Sequence, residues 1–96
     1  MKEFEICMLE HKGRENAINS RQLEKQFHLK GSEIRHMVNV LRCNGVPICS
    51  CNRGYYYAEY AEDIESTLAH LESRIKKIRD AQNGMRDILT KYKEGN

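Results

Sequence analysis

The sequence has no tryptophan, one proline, two phenylalanines and no long apolar run. Without an apolar stretch of about 20 residues, a membrane-spanning helix is not expected. The charges of Lys2, Glu3, Glu5 and Glu10 also break up the start of the chain, where a signal peptide would need an apolar segment. We therefore expect a cytoplasmic protein with no membrane partner, whose four cysteines are reduced thiols.

Neither sign of charge dominates, since the formal net charge is only +2, but the charges are unevenly distributed. Residues 11–53 hold eight Lys and Arg against three Glu, whereas residues 61–96 hold seven basic and seven acidic residues. A local basic surplus is typical of a surface that binds nucleic acid. The N-terminal part is therefore the candidate for such a surface.

Three short helices are predicted in the first half of the chain. The first contains Phe4 and Met8 and ends at Gly13, before a short strand around Ala17–Ile18. The second starts at Asn19 or Ser20, where Asn19 and Gln22 have the spacing of a capping box.

After a tight turn at residues 28–31, Ser32 is expected to cap the third helix. Its apolar positions Ile34, Met37, Val38 and Leu41 have helical spacing, and Gly45 ends it.

Two β-rich runs and a long helix follow. Residues 46–51 and 55–59 flank a predicted three-residue turn, Asn52 to Gly54, and form a β-hairpin. Strand alternation predicts that Tyr55 and Tyr57 pack inward and Tyr56 faces outward. Residues 62–92 contain no proline and form one long helix. The chain is therefore predicted to be mainly α-helical with a small β-hairpin.

The segments Ser20–Leu29 and Ser32–Arg42 have the features of a helix-turn-helix: apolar anchors on both helices, a short bend and a polar outer face on the second helix. With Asn44–Ile48 leading into the hairpin, the chain resembles the winged helix-turn-helix family. It is similar in particular to small helix-turn-helix proteins of phages and prophages of Gram-positive bacteria. The resemblance covers about residues 4–60 and implies a winged helix-turn-helix domain at residues 1–60; residues 61–96 are predicted to form a dimerisation helix, for the separate reason given below. It also implies a transcriptional regulator or replication accessory protein that binds double-stranded DNA.

If the third helix enters the major groove, its exposed residues face the bases, where Arg can recognise guanine and Asn adenine. Further cations before this helix, at its end and in the hairpin turn are placed for phosphate contacts. The candidate DNA-binding residues are Lys30, Ser32, Arg35, His36, Asn39, Arg42 and Arg53.

The long helix carries an unbroken a/d heptad pattern, which is typical of a coiled coil. The candidate dimerisation residues are Ile64, Leu68, Leu71, Ile75, Ile78, Gln82, Met85 and Leu89. A parallel pair would oppose Arg74 and Arg79, whereas an antiparallel pair brings Glu65 near Arg86 and Glu72 near Arg79. We expect an antiparallel homodimer; the alternative is a helix folded back on its own domain.

Other functions find less support in the sequence. It shows no Gly-rich phosphate loop and no nucleophile–base pair, so we expect neither an enzyme nor a cofactor. We expect the Cys49 and Cys51 thiols to point to opposite faces of the hairpin and to form no metal site. Two alternatives stay open: a winged-helix module that inhibits or adapts a host or phage protein, and a thiol-based metal or redox sensor.

Overall fold

A computed structural model describes residues 1–95 of the chain. It confirms a mainly helical protein with one small antiparallel hairpin and a long C-terminal helix. A single 3-10 turn at Arg14–Asn16 lies between the first two helices. The regular elements are α1 (Lys2–Glu10), α2 (Ser20–Phe27), α3 (Gly31–Cys43), β1 (Ile48–Cys51), β2 (Gly54–Tyr57) and α4 (Ala61–Lys93).

One hydrophobic core joins the first three helices to the hairpin. Phe4 and Met8 of α1, Leu23 of α2, Ile34 of α3 and Ile48 of β1 are all buried in it. Burying an aliphatic or aromatic side chain of this size contributes about 1.5–3 kcal/mol. The core therefore holds α2 and α3 in a fixed relation to the hairpin.

The helix termini explain where α2 and α3 begin. The predicted capping box of α2 is confirmed, because Asn19 Oδ1 accepts the Gln22 N–H at 2.9 Å and Gln22 Oε1 accepts the Asn19 N–H at 3.2 Å. The predicted cap at Ser32 is wrong. Helix α3 starts two residues earlier than this cap implies, at Gly31, so Ser32 lies inside the helix and the Glu33 carboxylate accepts the Lys30 N–H at 3.0 Å.

Helix α3 ends at the predicted glycine. Gly45 has a φ of 83°, a left-handed conformation that costs glycine little. The Gly45 N–H donates to the Arg42 carbonyl at 3.0 Å and the Val46 N–H to the Leu41 carbonyl at 2.9 Å. This is a Schellman motif, which satisfies carbonyl groups that the helix end leaves open.

The hairpin turn is shorter than predicted. Cys51 pairs with Gly54, so the turn has two residues, Asn52 and Arg53, and Gly54 belongs to β2. Gly54 has a φ of 133°, and a Cβ there would overlap the backbone carbonyl of Ile18. The predicted strand around Ala17–Ile18 is reduced to one bridge, in which Ile18 and Tyr55 exchange two hydrogen bonds of 2.8 Å.

The prediction that Tyr56 faces outward is wrong. Tyr56 is only 1% exposed, whereas Tyr55 and Tyr57 are partly buried against the core of the helices. Tyr56 shares a face of the hairpin with Cys49, its partner across the ladder, and this face is covered by the start of α4. Both faces of the hairpin are therefore packed, and burial raises the pKa of Tyr56 to about 12.

Only the first part of α4 packs on its own domain. Thr67 is buried, and its Oγ1 accepts the Ser50 N–H from the outer edge of β1 at 3.3 Å. From residue 72 to residue 95 every side chain is exposed. The helix therefore projects from the domain instead of folding back on it, and the molecule measures 58 × 31 × 23 Å.

Candidate nucleic-acid interface

The N-terminal half of α3 presents a polar surface opposite the core. Arg35, His36 and Asn39 are exposed, while Ile34 and Val38 between them are buried. Ser32, Arg35 and Asn39 are three and four residues apart and therefore lie on one side of the helix. The only acidic residue of α3 is Glu33, whose carboxylate is already engaged by the Lys30 N–H. The outer surface of α3 is therefore predominantly basic and amide-bearing.

The connection between α2 and α3 fixes how this surface is presented. His28 has a φ of 55°, in the left-handed region, and the Leu29 N–H donates to the Glu24 carbonyl at 3.1 Å. Leu29 is half-buried against the core, whereas the Lys30 side chain is exposed just before α3. The chain thus reverses within three residues and places the cation of Lys30 beside the start of α3.

A cleft of about 660 Å³ lies between α3, the hairpin turn and the middle of α4. It brings together three of the predicted residues on α3, Arg35, Asn39 and Arg42, with Arg53 of the turn. Three predicted residues do not line it and are exposed elsewhere: Lys30 just before α3, and Ser32 and His36 on α3. Among the residues that the structure describes, no Asp or Glu lines this cleft.

Arg74 of α4 adds a fourth arginine to the cleft. The sequence pattern indicated a role for Arg74 only in the pairing of two α4 helices. It comes near Arg42 because α4 packs along β1, and the two like charges contribute to a lowered pKa for Arg42, after the larger effect of burial. No local sequence signal could have assigned Arg74 to the cleft, since its position depends on tertiary packing.

Arg42 differs from the other predicted cations because its guanidinium is already bonded within the domain. Nε donates to the Ile48 carbonyl at 2.7 Å, and Nη2 lies 3.4 Å from Ser50 Oγ. These hydrogen bonds provide partners for polar groups on the outer edge of β1, where the Ile48 carbonyl would otherwise have none. Arg42 therefore joins α3 to the hairpin as well as lining the cleft.

The predicted dimerisation residues form an apolar stripe along α4. Ile75 is 52% exposed and Ile78 67%, and Ile64, Leu68, Met85 and Leu89 are also exposed. Leu71 is half-buried, and Leu71, Ile75 and Ile78 form the apolar wall of the four-arginine cleft. The basic surface and the apolar stripe therefore meet along one side of α4.

The cysteines are arranged differently from the prediction. Cys49 and Cys51 are two residues apart on β1 and lie on the same face of the hairpin, not on opposite faces, because side chains alternate along a strand. Cys49 is buried, and burial raises the pKa of its thiol. Within residues 1–95, no three His, Cys, Asp or Glu side chains are close enough together to hold a metal ion.

Within the described part of the chain, none of the helices combines the length and the apolar character that crossing a membrane requires. The chain matches no protein-family model, no curated protein and no solved structure.

Proposed function

We propose that the protein is a dimeric, sequence-specific DNA-binding protein with a winged helix-turn-helix domain at residues 1–60 and a dimerisation helix at residues 61–96. The observation that carries the proposal is the basic cleft, in which the exposed side of α3 and the hairpin turn face each other without a carboxylate among the lining residues. Phosphates would enter such a cleft favourably, because its arginines have no acidic partner to displace.

Base recognition is assigned to the exposed side of α3. Arg35 can bind a guanine edge through two parallel hydrogen bonds, and Asn39, one turn further on, can do the same with adenine. Ser32 and His36 flank them and can donate to neighbouring bases or phosphates. Four exposed positions of one helix thus offer donors to a major groove.

Phosphate contacts are assigned to the cations around this helix. Lys30 stands beside the start of α3, and Arg53 lies at the tip of the hairpin, where a wing would follow the DNA backbone. Arg42 and Arg74 contribute further positive charge to the lining of the cleft. These contacts supply affinity and salt dependence but little sequence preference.

The exposed stripe on α4 supports self-association. A lone helix that exposes Ile75, Ile78 and Met85 to water loses the burial that normally stabilises such residues. An antiparallel pair covers the stripe by placing Ile75 against Ile78 of the other chain. Glu65 then lies near Arg86 and Glu72 near Arg79, and each contact occurs twice. Two DNA-binding domains on one rod would gain avidity for paired sites.

The biological role follows from the resemblance to phage and prophage helix-turn-helix proteins. We propose a phage or prophage transcriptional regulator or replication accessory protein. In either role, the proposed contact surface is α3 with the hairpin turn.

One observation favours a second function, binding of a host or phage protein. The four-arginine cleft has an apolar wall formed by Leu71, Ile75 and Ile78, and in a chain whose α4 is unpaired this combination would fit an acidic amphipathic helix instead. A protein with this second function should show no sequence preference on DNA. The DNA-binding experiment described next therefore distinguishes the two functions.

Quantitative binding to duplex DNA, using a site selected from random sequences, tests the proposal. We expect Arg35→Ala and Asn39→Ala each to lose about 1–3 kcal/mol on the selected site and to relax preference at one base pair. Arg53→Ala should weaken binding to all duplexes to a similar extent and reduce the salt dependence.

Lys2→Ala is the matched control, because Lys2 is an exposed cation on α1 that does not line the cleft. It should leave affinity unchanged. If no site is enriched, or if Arg35→Ala and Asn39→Ala bind DNA as the wild type does, the DNA-binding proposal is wrong and the protein-binding function is favoured.

A further inference from the structure

A second cleft, smaller and more apolar, opens between α4 and the segment that joins α3 to β1. Its volume is about 310 Å³. Val46 and Pro47 form one wall, and Ile64, Thr67 and Leu68 form the other. Arg42 is the only charged residue among those that line it, and its guanidinium is already bonded to Ile48 and Ser50. An apolar group of matching size would fill this cleft at little electrostatic cost.

Ile88 is an apolar residue that the heptad pattern of α4 does not explain. With Ile75 at position a, Ile88 occupies a g position, where polar residues are usual in a two-stranded coiled coil. It is 48% exposed. It cannot reach the cleft of its own chain, because 21 residues separate it from Thr67, which is about 32 Å along a straight helix.

The antiparallel register brings Ile88 of one chain to the cleft of the other. In this register Ile75 of one chain packs against Ile78 of the other, so the twofold axis of the dimer passes between Lys76 and Lys77. The midpoint of α4 is Lys77, so two copies of this helix overlap over their whole length. The same register places the g residue Ile88 beside the g residue Thr67 of the other chain, next to Val46 and Pro47.

We propose that each chain of the dimer inserts Ile88 into the apolar cleft between Pro47 and Thr67 of the other chain. This inference rests on the proposed antiparallel dimer and adds to it a contact between the rod and the domain. The cleft is incomplete in one chain and is closed by the second. Each domain is then held by both helices, which fixes its orientation on the rod and the spacing of the two DNA-binding surfaces.

Photo-crosslinking maps the contact directly. Benzoylphenylalanine is placed at position 88, and this chain is mixed with an isotope-labelled wild-type chain so that peptides from the two can be distinguished. After irradiation, we expect cross-links from position 88 to residues 46–48 of the labelled chain, because cross-links to residues 64–68 would follow from the antiparallel pairing of the two helices alone. Cross-links only to the C-terminal half of α4, as a parallel pair would give, would overturn the proposal.

The energetic contribution of the contact is measured with Ile88→Ala. Sedimentation equilibrium should show a dimer dissociation constant raised about 10- to 100-fold, because the burial of two isoleucine side chains is reduced in each dimer. Ile6→Ala is the matched control, since Ile6 is similarly exposed, at 52%, but lies on α1. It should leave the dissociation constant unchanged.

The outcomes separate this proposal from the dimer on which it rests. If the wild-type chain is a dimer but position 88 gives no cross-link to residues 46–48, or Ile88→Ala leaves the dissociation constant unchanged, the cleft contact is contradicted and the dimer stands. A wild-type chain that stays monomeric at micromolar concentration would contradict both. A shift in the dissociation constant together with the expected cross-links would support both.

Discussion

At the scale of single residues, Arg42 shows how one side chain can serve both the fold and the site. Its Nε–H donates to the Ile48 carbonyl at the outer edge of β1, while the residue also lines the basic cleft. From the sequence, Arg42 was predicted only as a phosphate contact, because a cation near the end of a helix resembles any other surface charge. The strand carbonyl that it satisfies is visible only once the hairpin has packed on α3.

Arg42→Met should therefore destabilise the fold, unlike changes at the other cleft arginines. Methionine keeps much of the apolar stem but leaves the Ile48 carbonyl without its donor. We expect a loss of about 1.5–3 kcal/mol in the free energy of unfolding, measured by urea denaturation at fixed protein concentration. Arg35→Met, at an exposed position of α3, should change stability by less than about 0.5 kcal/mol. Equal effects of the two changes would show that the Arg42 contact contributes nothing to stability.

Tyr56 and Cys49 mark the limit of residue-level prediction. Strand alternation correctly separates Tyr55 and Tyr57 from Tyr56, but it cannot say what covers each face. Because the first turns of α4 pack against β1, the face that was expected to meet solvent is covered by a second packed layer. The two thiols of β1 were misplaced for a simpler reason, since residues two apart on a strand share a face.

At the scale of elements, much of the fold could be predicted from local chemistry. The reciprocal hydrogen bonds of Asn19 and Gln22 and the left-handed Gly45 are both local signals, and both are present. Ser32 failed as a cap because a competing carboxylate, that of Glu33, accepts the N–H of Lys30, two residues before Ser32. Such competition between caps moves the first residue of a helix by a residue or two, but the helix itself still forms.

The start of α4 gives a pH-dependent test at this scale. The Asp63 carboxylate accepts the N–H groups of Tyr60 and Glu59, both at 3.0 Å, and these bonds lower its pKa below the ordinary value of 3.8. A pKa lowered by folding means that the carboxylate stabilises the native state fully above the unfolded value. That stabilisation is lost as the pH falls through the folded pKa.

Asp63→Ala should cost about 1 kcal/mol of stability at pH 7, as expected for the loss of a helix cap. The difference from wild type should persist down to about pH 5 and shrink as the pH falls below about 4. Thermal unfolding at a series of pH values measures it. Glu62→Ala, at an exposed position of the same helical turn, is the control and should show a smaller difference. A cost at Asp63 that does not change with pH would contradict the charge-dependent cap.

At the scale of the whole molecule, the positions of the helices and the hairpin relative to one another depend on contacts between residues that are far apart in the sequence. The heptad pattern predicted that α4 pairs with a second copy, and its exposed stripe is consistent with that. The pattern did not predict that Thr67 would be buried against β1, or that Arg74 would therefore complete a basic cleft. The candidate DNA-binding residues could be identified one by one, but the cleft that groups four of them with Arg74 could not.

The proposed antiparallel pairing of α4 would connect the basic clefts, the apolar stripe and the position of Ile88, so its orientation is the central claim. In that register residue 90 lies opposite residue 63 of the other chain. Two labels at position 90 are then 27 residues apart, about 40 Å along the rod. A parallel pair would hold them on adjacent helices, with axes about 8–10 Å apart.

Pulsed electron spin resonance on a spin label at Thr90→Cys measures this distance, with exposed Cys43 and half-exposed Cys51 replaced by serine so that they do not take the label. Thr90 is exposed, and its labelled chain should retain the wild-type sedimentation behaviour. We predict a single distance distribution centred near 40 Å. A distribution centred below about 20 Å, as adjacent parallel helices would give, would contradict the account.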